Sequence, residues 1–182
     1  MRKLTILYLM IFLSSCKFAE KEKYIFPASY NGNIYIFSNI KNGVPKQYDN
    51  GQSRIYTVPQ SGILLSQFRE TYGIIDKKFF FKTINGELTE LAGIPFKDNK
   101  NALDDNKLYA FYGNDVTITF PKAKDTLGVQ IITICTPKDF EIASQEPFMK
   151  VILGSHFSPE DVSYQKFIDM RRKADTRLLQ QH

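Results

Sequence analysis

The chain has no tryptophan, two histidines and two cysteines among its 182 residues. Each scarcity excludes something. Two histidines, His156 and the terminal His182, with no thiol cluster, leave no ligand set at zinc-site spacing. Two cysteines, Cys16 and Cys135, allow one disulfide at most, and none once Cys16 is otherwise committed. The longest apolar run, Leu4 to Leu13, covers about ten residues, whereas a spanning helix needs roughly twenty, so its length weighs against an uncleaved membrane anchor. No glycine-rich phosphate loop, P-loop or nucleophile elbow occurs, and no repeat or low-complexity tract. The formal charge of +5 falls to +3 once Arg2 and Lys3 are removed, too mild and too scattered for a nucleic-acid partner.

What is present begins with an address. Arg2 and Lys3 form a positive start, Leu4 to Leu13 an apolar core, and Leu13-Ser14-Ser15-Cys16 a stretch of small residues ending in cysteine. That is the layout of a bacterial lipoprotein signal, with residues 1–15 removed and Cys16 becoming the acylated first residue of the mature chain. Several acyl chains, at about 0.8 kcal/mol for each buried methylene, hold a domain to a bilayer almost permanently. Lys17 stands where an inner-membrane retention signal usually has Asp, which points to an outer membrane, facing the periplasm or the cell surface, if the organism has one. Residues 16–23, charged and without apolar period, read as a tether.

Fifteen Phe and ten Tyr supply a substantial core for one domain, residues 24–157. Short β-rich runs alternate there with turn signals at Asn31-Gly32, Asn42-Gly43, Asn50-Gly51, Ser61-Gly62 and Asn85-Gly86. The pattern predicts strands at Asn33 to Phe37, Arg54 to Val58, Ile63 to Phe68, Lys78 to Ile84, Leu108 to Tyr112, Val116 to Phe120, Leu127 to Cys135 and Phe148 to Leu153. In the first of these both faces carry apolar side chains, Ile34 and Ile36 against Tyr35 and Phe37. In Val116 to Phe120 the threonines face outward, the mark of a strand wet on one side. Strands without intervening helices predict a mainly β fold, an antiparallel β-sandwich of immunoglobulin- or transthyretin-like type. A C-terminal α-helix, residues 158–182, starts at Ser158-Pro159-Glu160-Asp161, with apolar residues at three- and four-residue steps. Arg171, Arg172, Lys173 and Arg177 near its end read as complements to the helix dipole rather than as a headgroup-binding patch.

The residues that carry chemistry give a sparse yield. Cys135, in a β-branched run, reads as a buried small hydrophobe. Ser155, His156 and Asp161 are near one another in sequence, but a triad is recognised by geometry, and His156 reads as a loop residue. Asp98, Asn99, Asp104 and Asp105 offer hard oxygen ligands in a polar stretch that lacks the order of a calcium loop, so a solvated loop is expected. No catalytic residue, metal ligand or cofactor is assigned. Cys16, the lipid-attachment residue, is the single site residue.

Three motifs in order, Tyr24-x-Phe26-Pro27-x-x-Tyr30-x-Gly32-x-Ile34-x-Ile36, Tyr48-Asp49-x-Gly51 and Tyr56-x-Val58-Pro59-x-x-Gly62-Ile63-Leu64, resemble an uncharacterised family of bacterial lipoproteins, domain of unknown function 6843. The resemblance runs from about Tyr24 to Phe81, and Ile152-Leu153-Gly154 is similar to the family's late strand. It implies no activity; it does imply that Pro27, Gly32, Gly51, Pro59 and Gly62 set turns. Location and composition together predict a non-enzymatic envelope lipoprotein that binds or supports, held to the membrane by lipid, with another envelope protein or a glycan as partner. A carbohydrate-binding module is the alternative, and would need two or three exposed aromatics in a flat platform. A cryptic hydrolase would need carboxylates, or His156 and a nucleophile, converging in one pocket.

Overall fold

A computed structural model of the chain describes residues 21–71, 73, 75–98, 100–120, 125–145, 148, 152 and 162–179. Strand β1 (Glu22–Pro27) buries Glu22, Tyr24 and Phe26 and leaves Lys23, Ile25 and Pro27 partly exposed, the period of two that a pleated strand imposes. The remaining strands are β2 (Gly32–Phe37), β3 (Arg54–Thr57), β4 (Ile63–Leu65), β5 (Lys77–Lys82), β6 (Leu88–Leu91), β7 (Gly93–Pro95), β8 (Tyr109–Tyr112), β9 (Val116–Phe120) and β10 (Asp125–Cys135). A 3-10 turn (Pro137–Asp139) leads into the short helix α1 (Phe140–Ala143), and helix α2 (Tyr164–Leu179) follows later. None of the described helices is long and apolar enough to cross a membrane.

Two mixed sheets result. Sheet A has the order β3-β1-β5-β6, and sheet B the order β4-β2-β10-β8-β7, with β9 paired to the first half of β10. Between the sheets, Tyr24, Phe26, Tyr56 and Phe79 of sheet A pack on Ile34, Ile36, Leu64, Ile132 and Ile134 of sheet B. The Tyr24 ring stacks on Tyr56 at 4.9 Å and on Phe79 at 5.2 Å. The other face of sheet B, with Tyr35, Phe37, Ile63, Leu65, Val129 and Ile131, is covered by Phe148, Ile152 and the α2 residues Phe167 and Met170. Phe167 stacks on Phe37 at 4.0 Å. The layers therefore run sheet A, sheet B, helix. Strand β2 lies in the middle layer and buries all of Ile34, Tyr35, Ile36 and Phe37, as its two apolar faces require.

The mainly β, two-sheet part of the expectation is found, and antiparallel pairing holds only in part. Of the eight strand pairings, β2–β10, β8–β10, β9–β10 and β5–β6 are antiparallel, whereas β1–β3, β1–β5, β2–β4 and β7–β8 are parallel. Sheet A thus has a parallel centre, unlike an immunoglobulin- or transthyretin-like sandwich. Alternation tells which face of a strand is buried and says nothing of its direction, which is why the sequence did not show it.

Three further differences have similar causes. Phe148 and Ile152, expected in a strand, are helical; four residues apart, both reach the same core, and a short apolar run does not distinguish strand from buried helix. Strand β1 opens at Glu22, so the last two residues of the expected tether belong to the sheet. Asn85-Gly86 closes the β5–β6 hairpin, with Gly86 at φ +87° and its N–H donating to Thr83 O at 2.9 Å. Asn50-Gly51 lies inside the antiparallel bridge Tyr48↔Arg54, but Asn42-Gly43 closes no hairpin and is followed by the parallel bridge Val44↔Ser66. The expected helix start at Ser158 lies outside the described residues.

Candidate functional site

Cys16 lies outside the described residues, as do Ser155, His156, Asp161 and His182, so the site is built from what the two sheets hold. The most unusual chemistry is ionic and internal. Glu22 opens β1 on the inward face, and the register Glu22↔Lys77 brings β5's first residue beside it. The Lys77 ammonium lies 3.8 Å from Glu22 Oε2, with 7% of the lysine side chain and none of the glutamate side chain exposed. The Tyr24 hydroxyl donates a short hydrogen bond to Glu22 Oε2, and the Thr71 hydroxyl donates to Oε1 at 3.0 Å. Tyr24 Oη also lies 3.2 Å from Gln130 Oε1 of β10, which ties sheet A to sheet B through polar atoms. Lys77 sits over the rings of Tyr112 at 5.6 Å and Tyr24 at 5.9 Å.

The electrostatics follow from this enclosure. Burial first, then the Glu22 charge, holds the Tyr24 phenol well above its usual range, so it stays a protonated donor at neutral pH. Asp115 is exposed to solvent. Desolvation by its neighbours is the largest influence and pushes the carboxyl up, Lys77 opposes it, and the Glu22 charge adds to the rise. The Glu22 carboxylate is wholly covered and bonded to three groups, and removing one of its partners would leave a buried charge uncompensated. A period-two reading started two residues earlier, Glu22-x-Tyr24-x-Phe26, would have placed Glu22 inside; its charged neighbours disguised it as tether.

A second polar assembly pins α2 to sheet B. Arg171 Nη1 donates a short hydrogen bond to Ser61 O, its Nη2 lies 3.5 Å from Tyr30 Oη, and its guanidinium sits 5.6 Å from the Tyr35 ring centre. The Tyr30 hydroxyl donates to Asn33 O at 2.8 Å. All of this converges on Gly62, at φ +69°, where a Cβ would fall 2.0 Å from Tyr30 Oη, 2.6 Å from Arg171 Nη1 and 2.8 Å from Asn33 O. Here the turn set by Gly62 is also a close approach. Arg171 is thus a packing residue, Arg172 pairs with Asp169 at 3.9 Å, and the side chains of Lys173 and Arg177 lie outside the described residues.

The remaining candidates are quiet. Cys135 is buried on sheet B beside Phe111 and Phe140, and burial followed by the Asp139 charge pushes its thiol up to about 11, which keeps it from acting as a thiolate. In the polar loop, Lys100 Nζ donates to Phe96 O at 3.0 Å, so an ammonium already occupies carbonyls that a cation would use. Asp104 Oδ1 accepts the Asn106 N–H at 3.0 Å, Asp104 pairs with Lys107 at 3.5 Å, and Asn99 lies outside the described residues. Among the described residues there is no group of three His, Cys, Asp or Glu placed to hold a metal ion. Tyr48 is the one exposed aromatic among the residues whose side chains are described, and its ring meets Phe68 edge-on at 5.3 Å. The flat platform that a sugar-stacking module needs is not formed by them.

These features define a class: a two-sheet, mainly β domain with a helical cover. Residues 19–125, more than half of the chain, match the model described as "Family of unknown function (DUF6843)", and the chain belongs to that family. The match extends past the three motifs to the start of β10. No curated protein matches the chain. Among solved structures, the 2.75 Å crystal structure of a candidate lipoprotein from Bacillus anthracis is similar, with TM-score 0.48 and 12% identity over 86% of this chain and 95% of that one.

Proposed function

We propose that this chain is a lipoprotein of the cell envelope, cleaved before Cys16 and acylated on that thiol, whose domain serves as a binding or structural element rather than as an enzyme. The observation that carries this reading is the run from Arg2 to Cys16: two cations, about ten apolar residues, then Leu13-Ser14-Ser15-Cys16. The domain's own chemistry supports the non-enzymatic part. Among the described residues its one buried carboxylate, Glu22, is engaged by Lys77, Tyr24 and Thr71, and its thiol Cys135 is held protonated. Lys17 after the acylated cysteine favours an outer membrane, with the domain facing the periplasm or the cell surface. The partners of this reading are the membrane, through lipid, and another envelope protein or a glycan, with no cofactor. Metabolic palmitate labelling tests it: the wild-type chain takes up label and fractionates with membranes, and Cys16→Ala does neither. Unchanged labelling of the variant overturns the proposal.

A further inference from the structure

The outer face of sheet A has the chemistry of a surface that lies against something. Lys23, Ile25 and Pro27 of β1 point outward, and the register adds Ile55 and Thr57 of β3, Lys78, Phe80 and Lys82 of β5, and Leu88 and Glu90 of β6. Ile25, Ile55 and Phe80 are half-buried, yet none belongs to any of the three apolar clusters of the interior. Around them stand Lys78 and Lys82, both exposed, and Lys23, whose ammonium lies 5.0 Å from the Phe80 ring centre. Glu90 is the acid on the face; at its rim Asp49 turns its Oδ1 back to the N–H groups of Gly51 and Ser53 at 3.0 and 2.9 Å, and Asp76 adjoins Lys78. At the far end the fully exposed Ile84 tips the β5–β6 hairpin beside a shallow cleft of about 300 Å³ lined by Ile25, Thr57 and Lys82. No described element covers this face.

We propose that this face docks on an anionic lipid surface, with the three lysines meeting headgroups and Ile25, Ile55, Phe80 and Ile84 meeting the interfacial apolar layer. The inference rests on the lipidation proposed above. Five residues, Lys17 to Lys21, separate Cys16 from the first residue of β1, a reach of at most about 20 Å. Strand β1 is itself part of the face, so the acyl group holds this face nearer the bilayer than the helix layer, which lies two sheets away. Basic residues beside an anchor add to membrane attachment where acidic lipids are present, and apolar side chains among lysines suit the headgroup boundary.

The test uses the acylated chain, reconstituted in vesicles of phosphatidylglycerol and phosphatidylcholine in equal parts, or of phosphatidylcholine alone, each carrying nitroxide-labelled lipid. A fluorophore is placed by Thr57→Cys on the face, or by Ile142→Cys on the exposed side of α1; Cys135, buried and protonated, does not compete for the label. The proposal expects strong quenching at position 57 in the anionic vesicles, weak quenching in the neutral ones, and none at position 142. Lys23→Glu/Lys78→Glu/Lys82→Glu then loses the quenching at 57, as does salt at about 1 M, where the Debye length is about 3 Å. Equal quenching in both vesicles, quenching at 142, or no quenching at 57 overturns the docking. Shielding of position 57 in native envelopes but not on vesicles also overturns it and assigns the face to an acidic protein. Flotation separates the two proposals: a chain that fails to float with either vesicle refutes the anchor, whereas a chain that floats with position 57 unquenched refutes only the docked face.

Discussion

A methyl group at position 62 is the sharpest probe of how the helix is fastened to the sheets. Gly62→Ala carries two costs that the structure separates. The first is conformational: at φ +69° an L-residue pays about 1–2 kcal/mol. The second is steric, because the new Cβ would sit 2.0 Å from Tyr30 Oη and 2.6 Å from Arg171 Nη1. Relief requires Tyr30 to leave Asn33 O and Arg171 to leave Ser61 O, two hydrogen bonds at about 1 kcal/mol each. The total is about 3–4 kcal/mol, or a fall in melting temperature of roughly 6–16 °C for a domain of this size. Gly86→Ala is the control, since Gly86 has φ +87° and nothing within 4 Å of its would-be Cβ, so only the conformational cost applies. Urea denaturation of both variants reads the difference, expected at about 2 kcal/mol. In Arg171→Ala/Gly62→Ala the two losses should fall short of additive, because both break the same contacts. Equal destabilisation by the two glycine substitutions, or strict additivity with Arg171→Ala, would refute the assignment of Arg171 and Tyr30 as the fastening.

Other outcomes follow from the same geometry. Glu22→Ala strands Lys77 in a nearly closed site and should cost about 3–5 kcal/mol by urea denaturation, whereas Glu22→Met/Lys77→Met should recover most of it; a single-variant loss below about 1 kcal/mol would show the pair to be solvated. Phe167→Ala removes a fully buried ring stacked on Phe37 and should cost about 3–5 kcal/mol, and an unaltered melting curve would mean that α2 is not packed on sheet B. The thiol of Cys135, pushed up to about 11, should resist iodoacetamide at pH 8 in the folded chain and react once urea unfolds it; rapid alkylation of the native protein would contradict its burial.

The strands were legible in the sequence wherever turn residues and alternation agreed. Val116 to Phe120 is a strand with Ile118 buried and both threonines exposed, and the doubly apolar Ile34 to Phe37 is a middle-layer strand. Pairing was less legible, because β1 finds partners far away in the chain and no local signal records whether a distant strand runs beside it or against it. The Glu22 cluster stayed hidden for a related reason. Lys21, Glu22 and Lys23 look like a solvated charge run until Lys77 and Thr71, each about fifty residues on, supply the counter-charge and the donor. The proposal for Cys16 needs only a linear motif, whereas the outer face of sheet A exists only once three separated segments are laid side by side.

The placement of β1 also bears on how the molecule is made. Synthesis proceeds from the N-terminus, and here the first of the described strands becomes an interior strand of sheet A, flanked by β3 and β5. Its slot is incomplete until residues through Lys82 have been made, and sheet B waits longer still, since Asn33 must find Thr133 a hundred residues later. Until then Tyr24, Phe26 and the apolar faces of β2 are bare, and a partly made chain presents the kind of surface that aggregates.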